Sequence, residues 1–239
     1  MNKKCISLLT LCDLSKAFDS VSHQILTEKL KMAAVDSFWF ENYLSGRSQS
    51  VRLNNTVSTT ASVQYGVPQG SILGPILFNL YVNDMSQYFK NCSLIQYADD
   101  TQFVHTGTIA ELPTIVSETE RTLNRAREYF LRNGLKLNTK KTQCIFIGTH
   151  QLFPKIPEHT TITLHNTAVK PSSYVKNLGV YFDNFMSFDI HINKISSKIM
   201  GTLLYITSVK HCFDRETRIV IVVTSLEYFK LLQHNMGNY

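Results

Sequence analysis

No apolar run in this sequence reaches the roughly 18 residues that a membrane helix needs, so neither a transmembrane segment nor a membrane partner is expected. The amino terminus, Met1-Asn2-Lys3-Lys4 followed by Cys5 to Cys12, has a minimal apolar part and no small-residue cleavage site. Acid and lysine follow at once, so it reads as a buried strand rather than a signal peptide. Cysteine is scarce and scattered: Cys5, Cys12, Cys92, Cys144 and Cys212 show neither a CxxC pair nor a histidine-rich metal spacing. That argues against structural zinc and for a reducing, intracellular compartment, nucleus or cytoplasm. Repeats, low-complexity segments and a disordered linker are also missing. What remains is 239 residues, 44% of them apolar, enough for one large domain or a domain with an appendage.

The net charge of +6 is unevenly placed: residues 1–135 balance 12 Lys/Arg against 12 Asp/Glu, while residues 136–239 hold 12 against 6. A basic surplus confined to one part suggests a polyanionic partner on that side, although a lysine-rich solvated surface gives the same count.

Along the chain, Ile6 to Leu14 is an apolar run of strand length that ends on Asp13, where a side chain leaves the core and can serve a site. Asp19 or Ser20 can cap a helix running through Ala34, with Ile25, Leu26, Leu30 and Ala33 inward; capping suits Asp19 better than metal binding does. A short helix, Phe38 to Leu44, stops at Gly46, and Gln49 to Leu53 with Val57 to Val63 read as a hairpin around Asn54-Asn55. Gly66 to Ser71 is a loop, after which Gly74-Pro75 opens an apolar helix from Ile76 to about Phe89. Leu112 to Arg132 is an amphipathic helix closed by Asn133-Gly134, and Leu135 to Leu137 and Gln143 to Ile147 flank the polar loop Asn138-Thr139-Lys140-Lys141 as strands. Ile162 to His165 and Tyr174 to Phe182 make a further strand pair. From Asp189 a helical pattern begins, with Ile192, Ile195, Ile199, Leu203 and Ile206 on one face and Lys194 and Lys198 beside it. Asp214 to Tyr228 mixes helix and strand signals. The expected boundary lies near Asn184–Ser187.

Tyr97-Ala98-Asp99-Asp100 lies between apolar, β-branched flanks, so it reads as two short strands with Asp99-Asp100 at the tip of a tight turn. On its own this is equally well a solvated turn. The order strand, helix, hairpin, buried helix, acidic hairpin, helix, strand predicts an α+β layer arrangement, an antiparallel sheet under two main helices. In it Asp13, Asp99 and Asp100 can lie side by side. Converging carboxylates demand divalent cations, and hard oxygen ligands select Mg2+ or Mn2+. Two such ions are suited to in-line phosphoryl displacement.

Leu11-Cys12-Asp13-Leu14-Ser15-Lys16-Ala17-Phe18-Asp19-Ser20-Val21-Ser22-His23 resembles motif A of reverse transcriptases. Gly66-Val67-Pro68-Gln69-Gly70-Ser71 with Leu73-Gly74-Pro75 resembles motif B, and Tyr97-Ala98-Asp99-Asp100 resembles motif C. Gly134 to Thr142 resembles motif D and Leu178-Gly179-Val180 motif E. The ordered set spans roughly residues 6–210, and its wording is similar to jockey-like non-LTR (LINE-type) retrotransposons.

The resemblance implies a polymerase-type palm over residues 1–185, with a remnant fingers hairpin at about 47–64, and the helical start of a thumb over 186–239. It implies an RNA-directed DNA polymerase that extends a DNA primer on an RNA template from deoxynucleoside triphosphates, with two Mg2+ or Mn2+ ions held by Asp13, Asp99 and Asp100. By the same resemblance Phe18 is the aromatic gate against the ribose 2′-hydroxyl. Pro68, Gln69 and Gly70 line the nucleotide, and Lys140 or Lys141 protonates the leaving pyrophosphate. Leu178-Gly179 is the primer grip; Lys194 and Lys198 lie on a basic thumb helix, and Arg47 and Arg52 are available for phosphates. Only twelve residues precede Asp13, and Ser225-Leu226-Glu227-Tyr228 is thumb-like. The chain therefore reads as a fragment whose fingers segment belongs to the parent polyprotein. The rival expectations are a relic that binds nucleic acid without turnover, and a different two-metal phosphotransferase or nuclease, which leaves Phe18 and the Gln69 loop unexplained.

Overall fold

The computed structural model describes residues 4–221, 223 and 224. Its chain divides into two compact units, Met1–Val175 and Lys176–Tyr239. The first is built on a strand β1 (Cys5–Cys12) whose Ile6 and Leu8 are wholly buried. A short 3-10 turn, Phe18–Ser20, follows, then helix α1 (His23–Met32). The helix starts later than the sequence suggests: Ser22, not Asp19 or Ser20, is its cap, its Oγ accepting from the Ile25 N–H at 3.4 Å. The 3-10 turn has already used Asp19 and Ser20, so the first side-chain oxygen placed to receive an orphan helix N–H is that of Ser22. The helix also ends before Ala34, which turns to the left-handed region at φ 55°.

Asp36 caps α2 (Ser37–Leu44) by accepting from the Phe38 N–H at 3.0 Å. The expected hairpin is a two-tier ladder: β2 (Ser48–Gln49) pairs with β5 (Ala61–Ser62), and β3 (Arg52–Leu53) with β4 (Thr56–Val57), around Asn54 at φ 53°. The buried helix α3 (Leu73–Val82) begins before Gly74-Pro75 and yields at Asn83 to a 3-10 turn, Asn83–Tyr88. Pro75 is tolerated in the first turn because the first four N–H groups have no intrahelical partner anyway.

Then come β6 (Ser93–Tyr97), β7 (Asp100–Thr108), α4 (Leu112–Arg132) and β8 (Gln143–Ile147). The last two fall where the periodicity predicts, because α4 carries its apolar residues on one face and Asn133-Gly134 stop it. The sheet order is β6-β7-β1-β8, with every pairing antiparallel. Leu135 to Leu137 is not a strand; only an isolated bridge joins Leu137 to Leu14. β9 (Ile162–Leu164) pairs with β10 (Thr167–Val169), and β11 (Tyr174–Asn177) with β12 (Val180–Asp183), so the two segments expected to pair with each other each form a hairpin of their own. His165 at φ 53° and Gly179 at φ 89° supply the tight turns that make the local pairings possible.

Under the sheet, Phe78, Tyr81, Phe103, Leu123 and Phe130 are fully buried. Lys29 is the polar joint among the helices: its Nζ donates to the Tyr81 carbonyl (2.7 Å), the Asp84 carboxylate (2.6 Å) and the Tyr129 hydroxyl (3.2 Å). Burial pulls the lysine below its ordinary value. Burial alone would push Asp84 up, but the hydrogen bonds from Lys29 and Tyr129 outweigh it and hold the carboxyl low.

In the second unit, β12 leads to α5 (Asp189–Ser208), whose His191 and Ile206 are buried while Ile195, Ile199 and Leu203 are half-buried. Residues 215–221 are helical, and Asp214 accepts from the Thr217 N–H at 2.7 Å, which resolves the mixed signal there toward helix. Ser225 to Tyr228 lie outside the described residues. No helix among the described residues is long and apolar enough to cross a membrane.

Candidate active site

The site grows from the carboxyl end of β1. In the β1–β7 register Cys12 stands opposite Thr101, so the next step sets the backbone of Asp13 beside that of Asp100. The acidic turn itself is Ala98-Asp99, with Ala98 at φ 52°, and Asp100 is already the first residue of β7. The expected tip is therefore shifted by one residue, because a two-residue turn fits the twist of the flanking strands.

Asp100 is held above the usual carboxylate range, first by partial desolvation, then by the charges of Asp99 and Asp13. The charges of Asp13 and Asp99 thus reach Asp100 across β1 and the β6–β7 turn. One oxygen of Asp13, Oδ2, is buried and has no hydrogen-bond partner. A buried carboxylate oxygen left unbonded is costly, and a cation is the ligand that relieves it. Among the described residues, no group of three His, Cys, Asp or Glu side chains stands close enough together to hold a metal ion by itself. The acids therefore fit a divalent ion in charge and in donor type, but they are not a closed protein cage. The neighbouring thiol of Cys12 is buried and pushed far up by that burial and by Cys144, which makes it inert as a nucleophile at neutral pH.

The backbone of Asp13 also anchors the lysine loop. The Asn138 N–H donates to the Asp13 carbonyl and the Ser15 N–H to the Lys136 carbonyl, both at 2.8 Å. Lys140 and Lys141 follow Asn138 and are exposed.

On the other side, Phe18 sits in the 3-10 turn with its ring stacked on Phe78 (centroids 4.6 Å, 28°), half-buried rather than sealed in the core. The loop after the hairpin is pinned to this turn: the Gly66 N–H donates to the Val21 carbonyl (2.7 Å) and the Val67 N–H to the Phe18 carbonyl (2.9 Å). His23 Nε2 bonds the Gly66 carbonyl at 2.7 Å, and Gln69 Nε2 donates to Asp19 at 2.7 Å. Asp19 is therefore not the cap of α1 but a fastening for the Gln69 loop, a contact across 50 positions that no local signal announces. Ser71 Oγ accepts from the Gly74 N–H at 2.9 Å and starts α3.

Gly66 is required where it stands. Its φ is +87°, and an added Cβ would meet the Asp19 backbone at 3.1 Å. Gly66→Ala is expected to destabilise the first unit by about 1–3 kcal/mol, read as a lower denaturant midpoint at an unchanged slope. An unchanged midpoint would mean that the loop does not lie against the turn.

The other sequence candidates lie on other elements, two in the first unit and four in the second. Arg47 donates from Nε to the Tyr43 carbonyl at 2.7 Å and lies 4.4 Å over the Tyr43 ring, while Arg52 is exposed on β3. Leu178 and Gly179 form the β11–β12 turn, at φ 45° and 89°. Lys194 lies 4.7 Å over the Tyr181 ring, and Lys198 is exposed on α5.

Among known proteins, the family described as reverse transcriptase (RNA-dependent DNA polymerase) matches residues 1–182. The chain is similar to the probable RNA-directed DNA polymerase from transposon X-element of Drosophila melanogaster, 27% identical over 193 residues that cover 78% of this chain and 20% of that protein. It is likewise similar to the RNA-directed DNA polymerase from mobile element jockey of Drosophila funebris, 27% identical over 198 residues, 77% of this chain and 20% of that one. The chain thus spans about a fifth of the length of these curated relatives. A solved structure of telomerase from Candida tropicalis, in complex with a TWJ fragment of telomeric RNA, has a TM-score of 0.53 at 13% identity, covering 99% of this chain and 40% of that chain. That likeness shows a polymerase-type fold.

Proposed function

Because the chain belongs to the reverse transcriptase (RNA-dependent DNA polymerase) family, we propose that it carries the palm of an RNA-directed DNA polymerase and extends a DNA primer on an RNA template by nucleotidyl transfer. Residues 1–185 act as the palm with the hairpin at about 47–64 as a fingers element, and residues 186–239 begin the thumb. The observation that carries this reading is the unbonded, buried Oδ2 of Asp13 in a group of acids whose charges reach Asp100.

Asp13, Asp99 and Asp100 would hold two Mg2+ or Mn2+ ions. Bound there, such ions polarise phosphate oxygens and lower the pKa of an attacking hydroxyl. The remaining tasks fall to the chain's own groups. Phe18, backed by Phe78, excludes a 2′-hydroxyl from the sugar pocket. Pro68, Gln69 and Gly70 line the nucleotide, fixed in place by Asp19. Lys140 or Lys141 delivers a proton toward the leaving pyrophosphate, from a loop whose root is bonded to Asp13 itself. Arg47 and Arg52 meet template phosphates, Leu178-Gly179 grips the primer, and Lys194 and Lys198 meet the duplex backbone, where each phosphate contact adds affinity that salt removes.

Primer extension on an RNA template with Mg2+ or Mn2+ tests the reading, with Asp99→Asn as the control. Extension by the wild type and none by the variant is expected; equal extension by both rules out these acids as ligands. A second reading, a relic that binds nucleic acid without turnover, is favoured by the absence of a closed three-ligand cluster among the described residues. Retention of primer–template with no extension by either protein selects it.

A further inference from the structure

The amino-terminal helices present an aromatic surface that the catalytic site does not use. On α2 the rings of Trp39 and Tyr43 are parallel within 5° at 5.5 Å between centroids, and the Arg47 guanidinium lies 4.4 Å over the Tyr43 ring. Both groups thus lie against Tyr43, and Phe40 joins the cluster edge-on to Trp39 at 5.1 Å. It is open to solvent: Trp39 is 53% exposed and its neighbour Phe38 71%.

The chain beyond the stack is one-signed. Residues 42–83 contain Arg47 and Arg52 and no acidic side chain. The nearest acid before them, Glu41, is paired with Lys31 at 3.1 Å, and Asp36 is engaged with the Phe38 N–H at 3.0 Å. The hairpin from Ser48 to Ser62 is exposed throughout, and its Gln49, Asn54, Asn55 and Thr56 are polar groups of the kind that meet sugars and phosphates. Stacked rings with a cation, continued by an exposed hairpin whose only charge is positive and which carries the apolar Val51, Leu53 and Val57 beside its polar groups, match unpaired bases joined by a polyanionic backbone.

We propose that α2 and the hairpin after it form a stacking platform for a single-stranded polynucleotide, with a base against the exposed part of Trp39 and the backbone running toward Arg52. The identity of the strand, as template ahead of the site, rests on the polymerase reading; the platform's chemistry does not. Every base has a π-face, so RNA and DNA single strands both bind, whereas a duplex, whose bases are already stacked, does not.

Trp39 is the only tryptophan in the 239 residues, so its emission reports on the platform alone. The full chain is titrated with single-stranded oligoadenylate RNA, its DNA counterpart, and the same RNA in a duplex, while a fluorescent label on the oligonucleotide reports total binding by anisotropy. Saturable quenching by both single strands and not by the duplex is expected. Tyr43→Ala should weaken binding at least about fivefold, and Arg52→Glu, at an exposed position, should weaken it and flatten its salt dependence. Binding by anisotropy with unchanged Trp39 emission, or equal quenching by the duplex, overturns the platform. So does an emission shift that follows protein concentration without oligonucleotide, which marks a second copy as the occupant. Primer extension on the same preparations keeps the two readings apart: extension without Trp39 quenching removes the platform only, and neither extension nor binding removes both.

Discussion

Replacing Asp13 with asparagine is expected to abolish primer extension while making the metal-free protein more stable. The two effects share one cause. Three acids near one another are an electrostatic liability without a cation, visible in the raised Asp100 and in the unbonded Oδ2 of Asp13. An amide of the same shape removes one of the charges that raise Asp100, a gain on the order of 1 kcal/mol and about 2–4 °C in melting temperature for a chain of this size. The same change removes a ligand from ions whose stabilisation of transition-state charge is worth several kcal/mol, so extension should fall by at least about 10³-fold. Thermal melts with chelator and with Mg2+ or Mn2+ separate the terms: the wild type should gain stability from the metal and the variant should not. A variant that melts lower in chelator would mean that Asp13 is bonded in the fold after all. Equal metal stabilisation of both proteins would remove it from the ligand set.

The second large effect is expected at Phe78. Its side chain is fully buried in α3 and stacks on Phe18, so Phe78→Ala leaves a ring-sized hole and should cost about 3–5 kcal/mol. That loss alone would hide any effect on nucleotide choice. Phe78→Leu keeps most of the volume, and Phe18→Val shortens the half-buried partner at the edge of the core. If the buried ring sets the position of the gate, Phe78→Leu should loosen discrimination against ribonucleotides in the same direction as Phe18→Val. Single-nucleotide incorporation with paired deoxy and ribo substrates measures both. Unchanged discrimination in Phe78→Leu, with loosened discrimination in Phe18→Val, would make Phe78 a packing residue only.

What the sequence made legible follows from how local each cause is. α4 and β8 obey their period and stop signals to the residue, because amphipathicity and an Asn-Gly stop act within a few positions. The start of α1 is misread because Asp19, Ser20 and Ser22 are all good caps; which one serves is decided by the 3-10 turn before the helix. The pairing of β9 with β10 rather than with the segment from Tyr174 depends on His165 entering a left-handed turn, which composition does not signal. In the site, the three acids stand out by type and order, whereas the Asp19–Gln69 bond joins residues 50 apart and is visible only once the loop is folded back. Trp39 and Tyr43 stand four apart on α2, a spacing that places two helical side chains side by side, yet their stacking is a pairing that charge and acid patterns do not signal.

The position of β1 inside the sheet has a further consequence for how such a chain is made. Its partners are β7, ending at Thr108, and β8, ending at Ile147. At roughly 5–20 residues per second, a ribosome that has finished Cys12 takes several seconds to about half a minute to deliver the second partner. Until β7 is made, that apolar strand has both edges bare in the nascent chain, and until β8 follows it keeps one, available to any other strand that meets it. The element that will hold the candidate catalytic acid is therefore the one most in need of shelter during synthesis.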